Sequence, residues 1–160
     1  MYSSISESAV TGKNFSIGNF CVIEDDVVIG DNVKIGNYVL LKSGTVIGNN
    51  TFIDSYARSS GNNKIGDFVT IRYGVTIAKE VTIKNHVFIS PNVMTIFSEP
   101  VGFDYMVGNI IINENVYIGT AAVIGKSVEI CSGVNIGALA YVNKSIYIPG
   151  MYIGVPARLM

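Results

Sequence analysis

The chain has 160 residues, 49% hydrophobic and only 14% charged, with a formal net charge of -1. That length fits one domain, taken as residues 1–160. The absence of a charge excess or a basic aromatic patch argues against nucleic acid or an anionic membrane as a partner. Globular chains usually carry about a quarter charged residues, so this one must bury much of its surface, in its own core or against copies of itself.

The first stretch, MYSSISESAVTGK, lacks the charged lead and apolar run of a secretory signal. No apolar run reaches the roughly 18 residues of a membrane span. Cys21 and Cys131 have no metal-like spacing and read as reduced thiols used as small hydrophobes. A cytoplasmic location is therefore expected.

From Ile17 onward every sixth residue is a branched aliphatic: Ile17, Ile23, Ile29, Ile35, Leu41, Ile47 and Ile53. Ser59 breaks the series, which resumes in phase at Ile65, Ile71, Ile77, Ile83 and Ile89. A second array runs Ile112, Ile118, Ile124, Ile130, Ile136, Val142 and Ile148. The residue two before is also restricted and mostly aliphatic, as in Phe15, Cys21, Val27, Val33, Val69, Ile110, Val116 and Ala122. Residues two apart in a strand face the same side, so each hexapeptide supplies a short strand with two inward side chains. The Gly, Asn and Asp that follow, as in Gly30-Asp31-Asn32, tolerate the positive φ of a sharp corner. A period of six fits neither a helix nor long alternating hairpin strands. It fits an all-β solenoid that turns a corner every six residues, three hexapeptides to a coil, with coils stacked in parallel. Each fully buried large aliphatic contributes about 1.5–3 kcal/mol.

The residue between the two inward ones points outward. Val22, Val28, Leu40, Val46, Phe52, Phe88, Met94, Ile111, Tyr117, Val123 and Tyr141 are such positions. So many outward apolar residues imply contact with another subunit. The segment YARSSGNN, residues 56–63, keeps the phase and reads as a polar corner with no assigned role. The phase fails between Val93 and Ile112. The intervening MTIFSEPVGFDYMVGN holds one Pro and two Gly and reads as a loop extruded near residues 97–109, a common carrier of function on a rigid scaffold.

The Ile-Gly pairs followed by four variable residues, and the closing run Tyr152-Ile153-Gly154-Val155-Pro156-Ala157-Arg158, resemble the hexapeptide-repeat acyltransferase superfamily. The resemblance covers about residues 10–158 and is strongest in the C-terminal third, in Val116–Ile124 and Gly133–Ala138. It is nearest to enzymes that acetylate amino groups on nucleotide-linked sugars and to sugar O-acetyltransferases. It implies a left-handed parallel β-helix, although the general crossover rule favours the right hand. It implies a homotrimer with active sites between neighbouring prisms. The acyl donor would be acetyl-CoA, with no metal. The pantetheine arm would bond backbone groups at corners made of small residues, here Gly119, Thr120, Ala121, Gly137 and Ala138. Lys126, Lys144 and Arg158 are available to its phosphates.

Acyl transfer to an amine or hydroxyl needs a proton acceptor and a donor for the oxyanion. Relatives often place a His-Pro pair in the loop; this chain departs from that pattern with Glu99-Pro100-Val101. Glu99 is the expected base, or a group that orients the acceptor. His86, the one histidine, is the second candidate, and Asp104 and Tyr105 are expected substrate contacts by position in the loop. The acceptor is expected to be a sugar, nucleotide-linked, on a route to surface polysaccharide; amine against hydroxyl stays open. The alternative is a non-catalytic assembly or binding protein on the same scaffold. One His excludes the three-His zinc site of the β-helical carbonic anhydrases. Thr70, Thr76 and Thr82 should fall on successive faces and form no ice-binding ladder.

Overall fold

A computed structural model of the chain describes residues 2–96 and 109–160. The expected loop residues Glu99, Asp104 and Tyr105 lie outside the described residues. What is described is all β, built of strands almost all two residues long. The strands form three parallel sheets of eight, seven and nine, each the face of a three-sided rod. The first face begins with Ser4–Ile5, the second with Val10–Thr11 and the third with Ser16–Ile17. Each strand pairs with the one a full coil later: Ser4 with Val22, Val22 with Leu40, Leu40 with Arg58. Thr70, Thr76 and Thr82 do fall on the third, first and second faces.

The inward columns fill the prism. Ile23, Ile29, Ile53, Ile71, Ile89, Ile118 and Ile136 are buried, and so are Val27, Val33, Val69 and Val116 two residues before others of the set. In the first coil the inward Ile5 is exposed and Ile17 only half-buried, each with a coil on one side only. The middle residues do point outward, with Val22, Val28, Val46, Phe52, Met94 and Tyr117 exposed.

Across the break, Met94 pairs with Val123 and Thr82 with Ile111, partners 29 apart where elsewhere they are 18 apart. Eleven residues are therefore inserted at the edge joining the first face to the second, and the coil resumes unshifted. The final coil is shorter by two: Ile130 bridges Ile146 and Asn135 pairs with Met151. Expected column residue Ile148 is accordingly 62% exposed, and Ile146 takes the inward place at 6%. The deletion slides the register, which six-residue counting alone does not detect. The chain then folds back, and Arg158–Leu159 runs antiparallel beside Met151–Ile153.

Corner geometry corrects one expectation. The glycines directly after the inward Ile do not carry the positive φ; residues two further on do, such as Asn14 (55°), Asn32 (57°) and Asn50 (55°). Glycine is needed for close approach instead. A Cβ on Gly48 would lie 2.4 Å from Asp67 Oδ1, and that oxygen accepts the Asn49 N–H at 2.6 Å. An Asx side chain in one coil thus caps a corner amide in the coil before it, through the space a missing Cβ leaves.

The Ser59 break is a buried polar cluster. Ser59, Thr45 and Asn63 are all buried; the Ser59 hydroxyl bonds Thr45 Oγ1 at 2.7 Å and donates to Asn63 Oδ1 at 2.5 Å. Asn63 Nδ2 donates to the Ala78 carbonyl at 2.6 Å, and the Ala78 N–H donates to Thr95 Oγ1 at 2.7 Å. Every buried side-chain N or O among the described residues has a partner.

Candidate functional site: a corner track and a cationic cleft

The edge from the third face to the first changes character along the rod. In its N-terminal half it is a ladder of exposed rings: Tyr2, Phe20, Tyr38, Tyr56 and Tyr73, with successive centroids 5.8, 5.0, 4.9 and 5.3 Å apart. In its C-terminal half the same corner is Gly119-Thr120-Ala121, then Gly137-Ala138-Leu139, small but for the exposed Leu139. Gly119, Thr120, Ala121, Gly137 and Ala138 lie on this one edge, in successive coils.

The backbone explains what small residues do there. In the early coils the outermost corner amide is capped from the next coil: Asn19 N–H donates to Asn37 Oδ1 at 2.8 Å, and Asn37 N–H to Ser55 Oγ at 3.0 Å. The corresponding positions later are Thr120 and Ala138. Ala138 has no acceptor to offer Thr120, and among the described residues neither the Thr120 nor the Ala138 N–H finds one. The rest of the corner is tied: Ala121 N–H to Pro91 O, Ala122 N–H to Gly119 O and Leu139 N–H to Thr120 O. Two exposed amides one coil apart are thus held fixed and unpaired, suited to successive carbonyl acceptors of an extended ligand. Beside them the Ser90 hydroxyl donates to the Tyr117 phenol oxygen at 3.2 Å on the third face.

A cleft of about 350 Å³ opens at the C-terminal end of the rod, lined by Lys144, Arg158, Asn143, Ser145, Tyr152 and Ala157 among others. The structure brings Lys144 and Arg158 together there, although 14 positions separate them in sequence. Lys126 sits one coil earlier on the same edge as Lys144, outside that cleft. The chain reaches the cleft from the track: Gly137 N–H bonds Tyr152 O at 2.8 Å, Tyr141 N–H bonds Gly154 O, and Ala157 N–H returns to Tyr141 O at 2.7 Å. The residues fit an elongated thioester carrying amides in its arm and phosphates at its far end, with amide N–H donors along the corner and cations beyond it.

His86 is placed elsewhere, on the edge from the second face to the third, with φ 57° and its ring stacked on Phe68 at 5.0 Å. The third face separates it from the small-residue track within one chain. Among the described residues no group of three or more His, Cys, Asp or Glu could hold a metal ion, and no helix is long and apolar enough to cross a membrane. Both cysteines are free thiols.

A three-sided rod of hexapeptides is the fold this chain shares with solved acyltransferases. The family model for the bacterial transferase hexapeptide (six repeats) matches residues 8–43. The acetyltransferase domain of PglB from Neisseria gonorrhoeae is similar over 99% of this chain and 57% of that one, at 19% identity and TM-score 0.51. LpxA from Acinetobacter baumannii is similar over 97% of this chain and 70% of that one, at 18% identity and TM-score 0.68. A GDP-perosamine N-acetyl transferase variant from Caulobacter crescentus, in complex with CoA and GDP-perosamine, is similar over 100% of this chain and 57% of that one, at 17% identity and TM-score 0.51. The likeness shows the fold, a left-handed parallel β-helix. This chain spans 57% of the length of the PglB domain structure. No curated protein matches the sequence.

Proposed function

We propose that this protein is an acetyl-CoA-dependent acyltransferase that acetylates an amino or hydroxyl group of a sugar, carried on a nucleotide and destined for surface polysaccharide such as lipopolysaccharide. The observation that carries the reading is the pair of unpaired amides at Thr120 and Ala138 leading toward the Lys144–Arg158 cleft. The structural relatives named above support it: one is an acetyltransferase domain, and another holds CoA with a sugar nucleotide. In this reading the thioester carbonyl sits past the track, the acceptor nitrogen or oxygen attacks it, and the thiolate of CoA leaves. Glu99 takes the acceptor's proton; His86 is the second candidate for that role, and Asp104 and Tyr105 hold the acceptor.

The insertion and the track lie on the two borders of the first face. The proposed working form is a cytoplasmic homotrimer with sites between prisms, and the outward Val22 and Val28 supply apolar contact for it. The test is thiol release from acetyl-CoA in the presence of a panel of nucleotide-linked amino and neutral sugars, with sedimentation velocity for the trimer. Failure of acetyl-CoA to bind at all would leave only the alternative, an assembly or binding protein on this scaffold.

A further inference from the structure

Two grooves adjoin on the second face, away from the corner track. The larger, about 350 Å³, is lined by Lys64, Lys84, Thr82 and Asn85 over a floor that includes Val46 and Ile83. The smaller, about 280 Å³, is lined by Asn62, Lys64, Glu80, Thr82 and Asn109. Lys64 and Thr82 belong to both, so the two are one continuous surface. It lies where the chain re-enters the rod after the insertion, at Asn109.

The polar groups divide by chemistry. The larger groove holds two ammonium groups, and among the described residues neither Lys64 nor Lys84 has a carboxylate partner. Asn85 is fixed in one orientation, because its Oδ1 accepts the Asp67 N–H at 2.9 Å. Its NH2 is left as a donor, and the Thr82 hydroxyl has no partner among the described residues. Among the described residues no carboxylate lines this groove, so its charge and its fixed amide donor both favour an anion. The adjoining groove reverses the pattern: Glu80, 4.0 Å from Lys79, supplies an acceptor, and Asn62 and Asn109 supply amides. That set suits hydroxyl or amino groups.

We propose that this surface binds a phosphate-bearing sugar, with the phosphate between Lys64 and Lys84 and the ring hydroxyls or amine against Glu80, Asn62 and Asn109. The proposal deepens the acyltransferase reading by giving the acceptor a place beside the root of the insertion. The shared chemistry is a phosphate ester of a sugar, whether carried as a monophosphate or on a nucleoside diphosphate.

The test is calorimetric titration of the full chain with inorganic pyrophosphate, glucosamine 1-phosphate, UDP-N-acetylglucosamine and, separately, CoA. Saturable binding of at least one phosphorylated sugar is expected. Lys64→Ala and Lys84→Ala should each weaken it at least fivefold and the pair at least twentyfold, with Kd for CoA unchanged. Glu80→Gln should weaken the sugar ligands at least threefold and leave pyrophosphate unaffected. Tighter binding of the nucleotide ligand or of the monophosphate identifies the source, and either supports the site. CoA binding without binding of any phosphorylated sugar overturns this proposal and spares the acyltransferase. Sugar phosphate binding that the lysine changes leave intact overturns it as well. Loss of CoA binding alone overturns the acyltransferase reading and leaves the groove standing.

Discussion

Ser59 stands in a column of isoleucines and donates its hydroxyl to Asn63, four residues ahead in the same coil, at 2.5 Å. The pair converts a gap in the repeat into a closed set of hydrogen bonds reaching Thr45 on one side and the Ala78 carbonyl on the other. Buried polar groups are tolerated when every member is satisfied and are costly when one is orphaned.

Asn63→Ala should therefore cost about 1–3 kcal/mol, because it leaves the Ser59 hydroxyl and the Ala78 carbonyl buried and short of partners. Replacing the set together, Thr45→Val with Ser59→Val and Asn63→Val, should cost less than the single change. Urea denaturation of both variants checks the order; a single variant milder than the triple would refute it.

Ala138→Asn should restore to Thr120 the cap that Asn37 gives Asn19. The acyl-donor reading expects a loss of CoA affinity of at least tenfold with no fall in melting temperature. Titration with CoA, beside a thermal melt, separates a blocked track from a damaged rod. Unchanged affinity would show that the track is not used.

Lys144→Ala and Arg158→Ala should each weaken CoA roughly three- to tenfold. The loss should shrink as salt rises, since both cations are exposed and are screened over about 8–10 Å. Titrations at two ionic strengths measure this.

Glu99→Ala should lower turnover at least tenfold without changing Kd for acetyl-CoA, while His86→Ala should matter less. Steady-state rates with an accepted sugar decide it. An unaffected Glu99 variant beside an inactive His86 variant would reverse the assignment.

Gly48→Ala should destabilise the rod by roughly 1–3 kcal/mol, since the new methyl meets the Gly66 backbone at 2.6 Å as well as a carboxylate oxygen. The melting temperature reports it.

The rod was legible because burial is periodic: one inward Ile every six residues leaves a mark that no other fold makes. The shortened last coil was not, since two missing residues preserve local composition while moving Ile146 into the place expected of Ile148. The small-residue track was legible as composition, but its consequence was not. That Thr120 and Ala138 lack caps appears only when each corner is set beside its partner a coil away. Lys64 and Lys84 escaped notice for the same reason. Twenty positions apart, they meet only once the coils are stacked.

The antiparallel return of Arg158–Leu159 has a bearing on self-association. A stack of identical coils is a template, and an open parallel edge invites another chain to continue it. On the third face a newcomer meets a strand running the opposite way, and the two-residue contraction removes the matching spacing elsewhere. Fibre growth from that end is thereby discouraged by mismatch of polarity and pitch, leaving lateral association of flanks as the less obstructed route.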